Sequence, residues 1–347
     1  MNIQVEMPVR KRQPKRKKQK KPIRFIVFLL LLLFLIILGV LVGTGFKFGN
    51  VNFDIFNRNA DAQETNTTTV SPSNTTSPKP SVVPTASPAD DITLQGVKEL
   101  KKSISTYIDK QTGEFSVYYL NLSDGSQFGI NDTEVFVAAS TIKIPINFYL
   151  FKEIEAGDVS KTDKVTYLSR DYEGGTGDLQ YEKKGTIYTV DELSKLSIEL
   201  SDNVATNMLQ RFLGGRSVIR GYMKKLGGIV TYGDKNITCA KDMALYMKRV
   251  YEFSVSNPKL GGHLIDYFEN TIFNDRIPKL LPKDIKVAHK IGNFWSEEWG
   301  AALHDIGIVY ADKPYIISVM TKKADEDETY DAIANISKMV YEYVVNS

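Results

Sequence analysis

From about residue 93 to the C-terminus, hydrophobic residues follow either a helical or a strand period. We predict one hairpin from Glu114–Leu122 and Gln127–Ile130, and a second from Asp305–Tyr310 and Tyr315–Met320. An amphipathic helix should precede the first hairpin, because apolar residues recur there at helical spacing: Val97, Leu100, Ile104, Tyr107 and Ile108. A last amphipathic helix should close the chain. Strands therefore lie at both ends of this region.

The residues between the two hairpins have a helical period. A buried helix is predicted to start near Ser140, because a run without glycine follows it: Ile142, Ile144, Ile146, Phe148, Leu150 and Phe151. A further helix should begin at Thr189, a capping residue type followed by an acidic first turn, and should run towards Ser201. The length of this region suits one large domain with two lobes.

The first 92 residues have no such period. Residues 1–24 hold ten Lys or Arg and one acid, and residues 25–43 are an apolar run long enough to span a bilayer as a helix. Residues 44–92 are rich in Thr, Ser, Asn and Pro, a composition typical of a spacer. We predict a basic cytoplasmic tail, an uncleaved single-pass membrane anchor and a linker that holds the domain 93–347 outside the membrane. A cleaved signal peptide is the alternative, although residues 43–47 contain no A-x-A site.

The positive net charge of the chain comes from its tail. Beyond residue 24, acidic residues outnumber basic residues by six, which argues against a nucleic-acid partner for the folded part. Cys239 is the only cysteine, so no intrachain disulfide can form. The chain has neither a cysteine pair nor an H-x-x-x-H motif, and we expect no metal and no cofactor.

Three short motifs carry candidate chemistry. Ser140 lies three residues before Lys143 on the predicted helix, so both side chains should face the same way. The triplet Ser201-Asp202-Asn203 occurs once, and Lys290-Ile291-Gly292 precedes a strand-like run. A serine hydroxyl becomes a good nucleophile when a neighbouring base takes its proton. A lysine can be that base if burial and a second cation lower its pKa, so the three motifs could form one site.

Each motif alone also has a structural explanation. Serine and the S-D-N triplet are residue types that cap helices, and a lysine on a strand is commonly solvated. A second S-x-x-K sequence begins at Ser256, but Pro258 should break a helix there and separate the two side chains. The occurrence of all three motifs in this order favours the shared site.

In this order, the motifs resemble the S-x-x-K, S-D-N and K-T-G signature of the class A β-lactamase family and the penicillin-binding proteins. The resemblance covers about residues 95–347. It implies an α/β (α+β) fold in which helices flank an antiparallel sheet and a second lobe is all-helical. It also implies four catalytic residues, which are Ser140, Lys143, Ser201 and Lys290. Three further residues would bind the substrate: Asn203, Gly292 and Asn293. The backbone N–H groups of Ser140 and Asn293 would form the oxyanion hole.

The chain departs from the family pattern in two places. Class A enzymes carry an omega-loop glutamate that activates the deacylating water, but the stretch from Gly228 to Thr238 is too short for that loop, and its only acid is Asp234. Glu173 could lie close to the site, although we do not assign it as the base. Ile291 replaces a Thr or Ser of the family and cannot donate a hydrogen bond to a substrate carboxylate.

These observations predict a membrane-anchored, extracytoplasmic serine hydrolase of the class A β-lactamase type. It should be acylated at Ser140 by β-lactams and hydrolyse their amide bond with slow deacylation. The alternatives are a D,D-peptidase or transpeptidase acting on peptidoglycan stem peptides, a sensor that stays acylated, and a catalytically silent wall-binding module. Turnover separates an enzyme from a sensor, and labelling of Ser140 separates both from the silent module. Two segments, residues 172–177 and 295–299, should form the rims of the cleft.

Overall fold

The computed structural model describes residues 88–231 and 235–347. The predicted tail (1–24), the predicted anchor (25–43) and the linker as far as residue 87 lie outside these residues, as does Asp234. Among the helices of the described part, none is both long and apolar enough to cross a membrane.

The described residues form eight helices and nine strands. In chain order they are α1 (Pro88–Ile108), β1 (Glu114–Asn121), β2 (Gln127–Ile130), β3 (Phe136–Val137), α2 (Lys143–Ala156), β4 (Lys164–Thr166), β5 (Ile187–Thr189), α3 (Val190–Glu199), α4 (Asn203–Phe212), α5 (Arg216–Lys225), β6 (Ile237–Thr238), α6 (Ala240–Ser256), α7 (Pro258–Glu269), β7 (Val287–Ser296), β8 (Gly300–Val309), β9 (Tyr315–Lys322) and α8 (Glu326–Val345). Short 3₁₀ turns connect some of them.

Five strands form one antiparallel sheet in the order β2-β1-β9-β8-β7. The two predicted hairpins are confirmed as β1-β2 and β8-β9, and β1 pairs with β9, so both ends of the domain meet in the sheet. Strand β8 begins at Gly300, earlier than predicted, because it also forms a long hairpin with β7. Since β7 lies at the edge of this sheet, alternate N–H groups along it point away from β8.

Both faces of the sheet are buried. Side chains alternate between the faces along each strand, so Ile317 and Val319 pack on one side together with α1 and α8. Ile316 and Met320 pack on the other side, in a larger core shared with the helices α2 to α7, which we call the helical lobe. The predicted fold class, an antiparallel sheet flanked by helices with a second, helical lobe, is confirmed. The lobe is not entirely helical, because the short strands β4 and β5 pair within it.

Helix α2 lies at the centre of the helical lobe, and residues around most of its circumference are buried. Its α-helical turns begin at Lys143, and Ser140 lies in the 3₁₀ turn Ala139–Ile142 just before it. The helix therefore starts slightly later than the apolar pattern predicts. Pro145, in the first turn, is compatible with this start because its missing N–H would have no partner inside the helix there.

The ends of the other helices agree with the residue types at their caps. Thr189 caps α3, as predicted, and with Glu192 it forms a reciprocal capping box. Helix α6 ends at Ser256, and Asn257 caps α7, which has Pro258 in its first turn. The second S-x-x-K sequence is thus divided between two helices, which confirms that it cannot place a serine and a lysine on one helical face.

Candidate active site

A cleft of about 860 Å³ lies between the helical lobe and the edge strand β7. This volume falls within the range of sites for small molecules. Five of the seven predicted site residues line the cleft: Ser140, Lys143, Ser201, Asn203 and Asn293. The other two, Lys290 and Gly292, lie on β7 next to Asn293, and the Lys290 side chain is fully buried.

Ser140 is held in a strained turn. The preceding residue, Ala139, has a φ of 49°, in the left-handed region that residues with a side chain seldom adopt. The Thr141 hydroxyl donates to the Ala138 carbonyl at 2.6 Å, and the Asn236 side-chain amide donates to the Ala139 carbonyl at 3.1 Å. These contacts fix the backbone on both sides of the serine.

Lys143 lies one turn after Ser140, and only 2% of it is exposed. Its Nζ donates to the Ser201 carbonyl (2.5 Å), to the Ser201 Oγ (3.1 Å) and to the Asn203 Oδ1 (2.9 Å). Burial lowers the pKa of Lys143 to about 7, against the opposing effect of the negative charges of Asp202 and Glu173. A substantial fraction of this lysine is therefore neutral near pH 7 and able to accept a proton.

The S-D-N triplet serves as a helix cap and as part of the site at once. Asp202 caps α4, and its carboxylate accepts from the N–H groups of Ala205 and Leu179, both at 2.8 Å. Ser201 has a φ of 52°, in the left-handed region. Its carbonyl and hydroxyl both contact Lys143 in this conformation, and Asn203 begins α4 beside them. The structural and the functional interpretations of the triplet are compatible.

A buried hydrogen-bonded chain supports these residues from behind. The Asn147 amide on α2 donates to the Lys143 carbonyl (2.8 Å) and to Ser197 (3.2 Å), and it accepts from Ser194 (2.8 Å). Ser197 in turn lies 2.9 Å from the Thr206 hydroxyl. We did not predict this network from the sequence. Its signal in the sequence is a single amide, Asn147, within the otherwise apolar run of residues 144–151.

One rim of the cleft is formed by residues 173–176, within the segment 172–177 that was predicted to lie there. The Thr176 hydroxyl donates to the Ser201 carbonyl at 2.6 Å, and the Gly174 carbonyl accepts from the Asn203 amide at 3.1 Å. Glu173 lines the cleft, where its carboxylate accepts from the Asn207 amide at 2.8 Å. This loop thus positions two of the groups that surround Lys143.

On the opposite side, β7 supplies a second lysine and a close backbone contact. Lys290 donates to the Ile291 carbonyl at 3.1 Å. Burial and the positive charge of Lys143 lower the pKa of Lys290 well below its ordinary value, although Asp305 opposes them. A Cβ on Gly292 would lie 3.0 Å from the Thr141 methyl and 3.3 Å from the Ala138 carbonyl. Glycine therefore allows β7 to approach the turn of Ser140 closely.

A buried histidine ties the sheet to this turn. His304 accepts from the Thr321 N–H at 3.1 Å and donates through Nε2 to the Val137 carbonyl at 2.8 Å. Burial lowers its pKa to about 4, so it is neutral at pH 7. The buried Arg276 donates to the His304 carbonyl at 2.7 Å. These contacts were not predicted, because the partners are far apart in the sequence.

The hairpin between β7 and β8 forms the second rim. Trp295, Glu298 and Trp299 line the cleft, as predicted for the segment 295–299, whereas Glu297 does not. Trp295 remains 71% exposed. Within the described residues, no group of three or more His, Cys, Asp or Glu side chains could hold a metal ion.

The sequence of the chain is similar to those of known β-lactamases. A model of the family described as "Beta-lactamase enzyme family" matches residues 99–344. The β-lactamase SME-1 of Serratia marcescens is 24% identical over 263 residues, which cover 70% of this chain and 88% of SME-1. The β-lactamase VEB-1 of Pseudomonas aeruginosa is 22% identical over 271 residues, which cover 71% of this chain and 91% of VEB-1.

Solved structures resemble the same region. The structure of PBP-A superposes with a TM-score of 0.67 and 27% identity, over 72% of this chain and 97% of PBP-A. A substituted form of PBP-A, solved as an acyl-enzyme complex with penicillin G, gives a TM-score of 0.65 and 26% identity over 73% of this chain and 97% of the other. The similarity therefore spans the sheet, the helical lobe and the cleft between them.

Proposed function

The chain belongs to the β-lactamase enzyme family, and on that premise we propose that it is a serine hydrolase whose Ser140 is acylated by β-lactams. One observation carries the proposal. Lys143, one turn after Ser140, is buried against neutral oxygens with a pKa of about 7, in a cleft that Ser140 also lines. The acyl-enzyme complex of PBP-A with penicillin G supports it by similarity.

Acylation would proceed as follows. Neutral Lys143 takes the proton of the Ser140 hydroxyl as Oγ attacks the β-lactam carbonyl, and the N–H groups of Ser140 and Asn293 stabilise the oxyanion. Ser201, 3.1 Å from Lys143 Nζ, returns the proton to the amide nitrogen as the C–N bond breaks. Asn203 and Lys290 would bind the substrate amide and carboxylate, and Gly292 lets Asn293 come close to Ser140.

We propose that hydrolysis of the acyl-enzyme is slow. The sequence has no omega-loop glutamate between Gly228 and Thr238. Loss of a general base typically costs 10²–10⁴ in rate, about 3–5 kcal/mol of barrier. Nitrocefin should therefore give a burst near one equivalent followed by slow turnover. Fast turnover without a burst would contradict this, and Glu173 would then be the first residue to substitute.

A peptidoglycan D,D-peptidase or transpeptidase is the second candidate. It requires the same acylation chemistry, and the observation that favours it is the extent of the cleft, which continues beyond Asn203 to Arg216 on α5. A stem peptide is longer than a β-lactam and could occupy this space. Release of D-alanine from a synthetic stem peptide, measured beside penicillin hydrolysis, distinguishes the two activities.

Labelling of the nucleophile tests the acylation. The full-length chain incubated with penicillin G should gain one adduct by intact mass spectrometry, and peptide mapping should place it on Ser140. Ser140→Ala should abolish it. Ser256→Ala, in the second S-x-x-K sequence, is the matched control and should keep it. Labelling that survives Ser140→Ala would refute the assignment.

We further propose that residues 25–43 anchor the domain outside the membrane and that the basic tail stays in the cytoplasm. The supporting observations are the nineteen-residue apolar run and the ten cationic residues before it. Protease added to intact spheroplasts should digest the domain and leave an N-terminal tag protected. Recovery of a secreted product that lacks the first forty residues would show cleavage instead.

A further inference from the structure

Asn293, whose N–H group would stabilise the oxyanion, has a side-chain contact that the acylation chemistry does not use. Its amide donates through Nδ2 to the Tyr330 hydroxyl of α8 at 3.3 Å. Tyr330 belongs to another element, 37 positions further along the chain, and its side chain does not line the cleft. A residue outside the cleft therefore contacts one of the two proposed oxyanion donors.

The Tyr330 hydroxyl has the hydrogen-bond direction that this contact requires. It donates to the carboxylate of Glu326, one turn earlier on α8, at 2.9 Å, and an ionised carboxylate can only accept. Burial raises the pKa of Tyr330 above its ordinary value, so the hydroxyl keeps its proton at neutral pH. The oxygen of this hydroxyl can then accept a hydrogen bond from the NH₂ group of Asn293.

A buried arginine holds the ring of the same tyrosine. The guanidinium carbon of Arg276 lies 4.2 Å from the centre of the Tyr330 ring, a distance typical of a cation–π contact. Only 1% of Arg276 is exposed, and its side chain donates to the His304 carbonyl on β8 at 2.7 Å. The hydroxyl and the ring of Tyr330 are thus both held by side chains other than Asn293.

These contacts meet β7 at two successive residues. His304 on β8 is the register partner of Gly292, and Asn293 is the next residue along β7. Just beyond it, Phe294 and Trp295 are 42% and 71% exposed as the strand leaves the core. Because β7 lies at the edge of the sheet, it pairs there with β8 alone. The contact with Tyr330 therefore holds β7 where the buried part of the strand ends.

We propose that Tyr330 is a positioning residue for the oxyanion hole, because it holds the Asn293 side chain and so fixes the direction of the Asn293 N–H group. This rests on the proposed acylation of Ser140. An oxyanion donor is effective when it is already aimed at the oxygen that becomes negative in the transition state. Freer motion of Asn293 would weaken that hydrogen bond and leave the binding of the intact substrate nearly unchanged.

Tyr330→Phe tests the proposal, because it removes the hydroxyl and keeps the ring over Arg276. The measured quantities are the limiting acylation rate constant at saturating penicillin G and the dissociation constant of the complex that precedes acylation, both on the full-length chain. The rate constant should fall roughly threefold to tenfold, the contribution of one neutral hydrogen bond. The dissociation constant should not change, since the contact acts on the transition state.

A transition-state analogue provides a second measurement. Phenylboronic acid forms a reversible tetrahedral adduct with a serine hydroxyl, and one oxygen of that adduct occupies the oxyanion hole. Its affinity should weaken in Tyr330→Phe by about the same factor as the rate constant. Tyr343→Phe is the matched control, because it removes a hydroxyl from the same helix at a position that packs against Tyr119. It should leave the rate constant and the affinity unchanged.

A double-mutant cycle shows whether Tyr330 acts through Asn293. In an Asn293→Ala background, adding Tyr330→Phe should slow acylation no further. Equal slowing in both backgrounds would overturn the proposal, and so would an unchanged rate constant in Tyr330→Phe, whatever its melting temperature. If penicillin G does not label the wild-type chain, the acylation of Ser140 is itself refuted. Normal labelling with a rate constant insensitive to Tyr330→Phe refutes only the positioning role.

Discussion

Lys143 must be neutral before it can accept a proton from Ser140. Because burial lowers its pKa to about 7, about half of the molecules hold the neutral lysine at pH 7 and roughly one in a hundred at pH 5. We therefore expect the acylation rate constant for penicillin G to rise about tenfold per pH unit below pH 7 and to level off above it. A lysine with an ordinary pKa would instead give a rate that still rises at pH 9.

Glu173→Gln perturbs this profile in a defined direction. The negative charge of Glu173 favours the protonated lysine, so its removal should lower the pKa of Lys143 and move the midpoint of the profile to lower pH. At pH 6 the variant should then acylate faster than the wild type if the substrate still binds equally. Glu182→Gln, in an exposed part of the same connection, is the matched control and should keep the midpoint.

The assay is stopped-flow labelling with a fluorescent penicillin from pH 5 to 9 at constant ionic strength. Lys143→Ala should slow labelling by about 10²–10⁴ at pH 8, the contribution of a positioned proton acceptor. A profile without a midpoint near 7 would refute the assignment of Lys143 as the base. A midpoint that is the same in Glu173→Gln and the wild type would refute the electrostatic coupling while leaving the base in place.

Three further predictions concern stability. Lys290→Met should abolish productive acylation but raise the melting temperature at pH 7, because burial beside Lys143 lowers the pKa of Lys290 and makes this lysine costly to fold. The folded chain binds fewer protons at Lys290 than the unfolded chain, so this gain should shrink as the pH approaches about 10. A lower melting temperature would refute it. Gly292→Ala should lower the free energy of unfolding by about 1–3 kcal/mol, because the added methyl group overpacks against Thr141, and it should slow acylation. An unchanged denaturant midpoint together with an unchanged acylation rate would contradict this. Asn147→Ala should lower the free energy of unfolding in urea by about 1–3 kcal/mol, because it leaves Ser194 and its neighbours without their amide partner. An unchanged free energy of unfolding would show that the network is dispensable.

The sequence predicts those features that depend on neighbours along the chain. The hairpins and the cap at Thr189 follow from local period and residue type, and both are present. The i, i+3 spacing of Ser140 and Lys143 likewise predicts that they share one side of a turn, whether that turn is α or 3₁₀. The exact start of α2 is less predictable, since the apolar run continues through the 3₁₀ turn.

Other features depend on partners that only the fold brings together. Asn147 and Ser194 are separated by 47 residues, and Val137 and His304 by 167. The side chains of Asn147, Ser194 and His304 are polar in apolar surroundings. A buried polar side chain signals a buried partner but does not identify that partner.

The burial of Lys143 and Lys290 is itself an argument for function. A charged group that serves only stability is expensive to bury and normally has an ionic partner. These two lysines instead contact neutral oxygens, the hydroxyl and carbonyl of Ser201, the Asn203 amide and the Ile291 carbonyl. Their mutual repulsion lowers the pKa of Lys290 further. Such an arrangement destabilises the fold and favours a neutral lysine one turn from Ser140. The loss of stability at this site therefore supports the proposed catalytic role of Lys143.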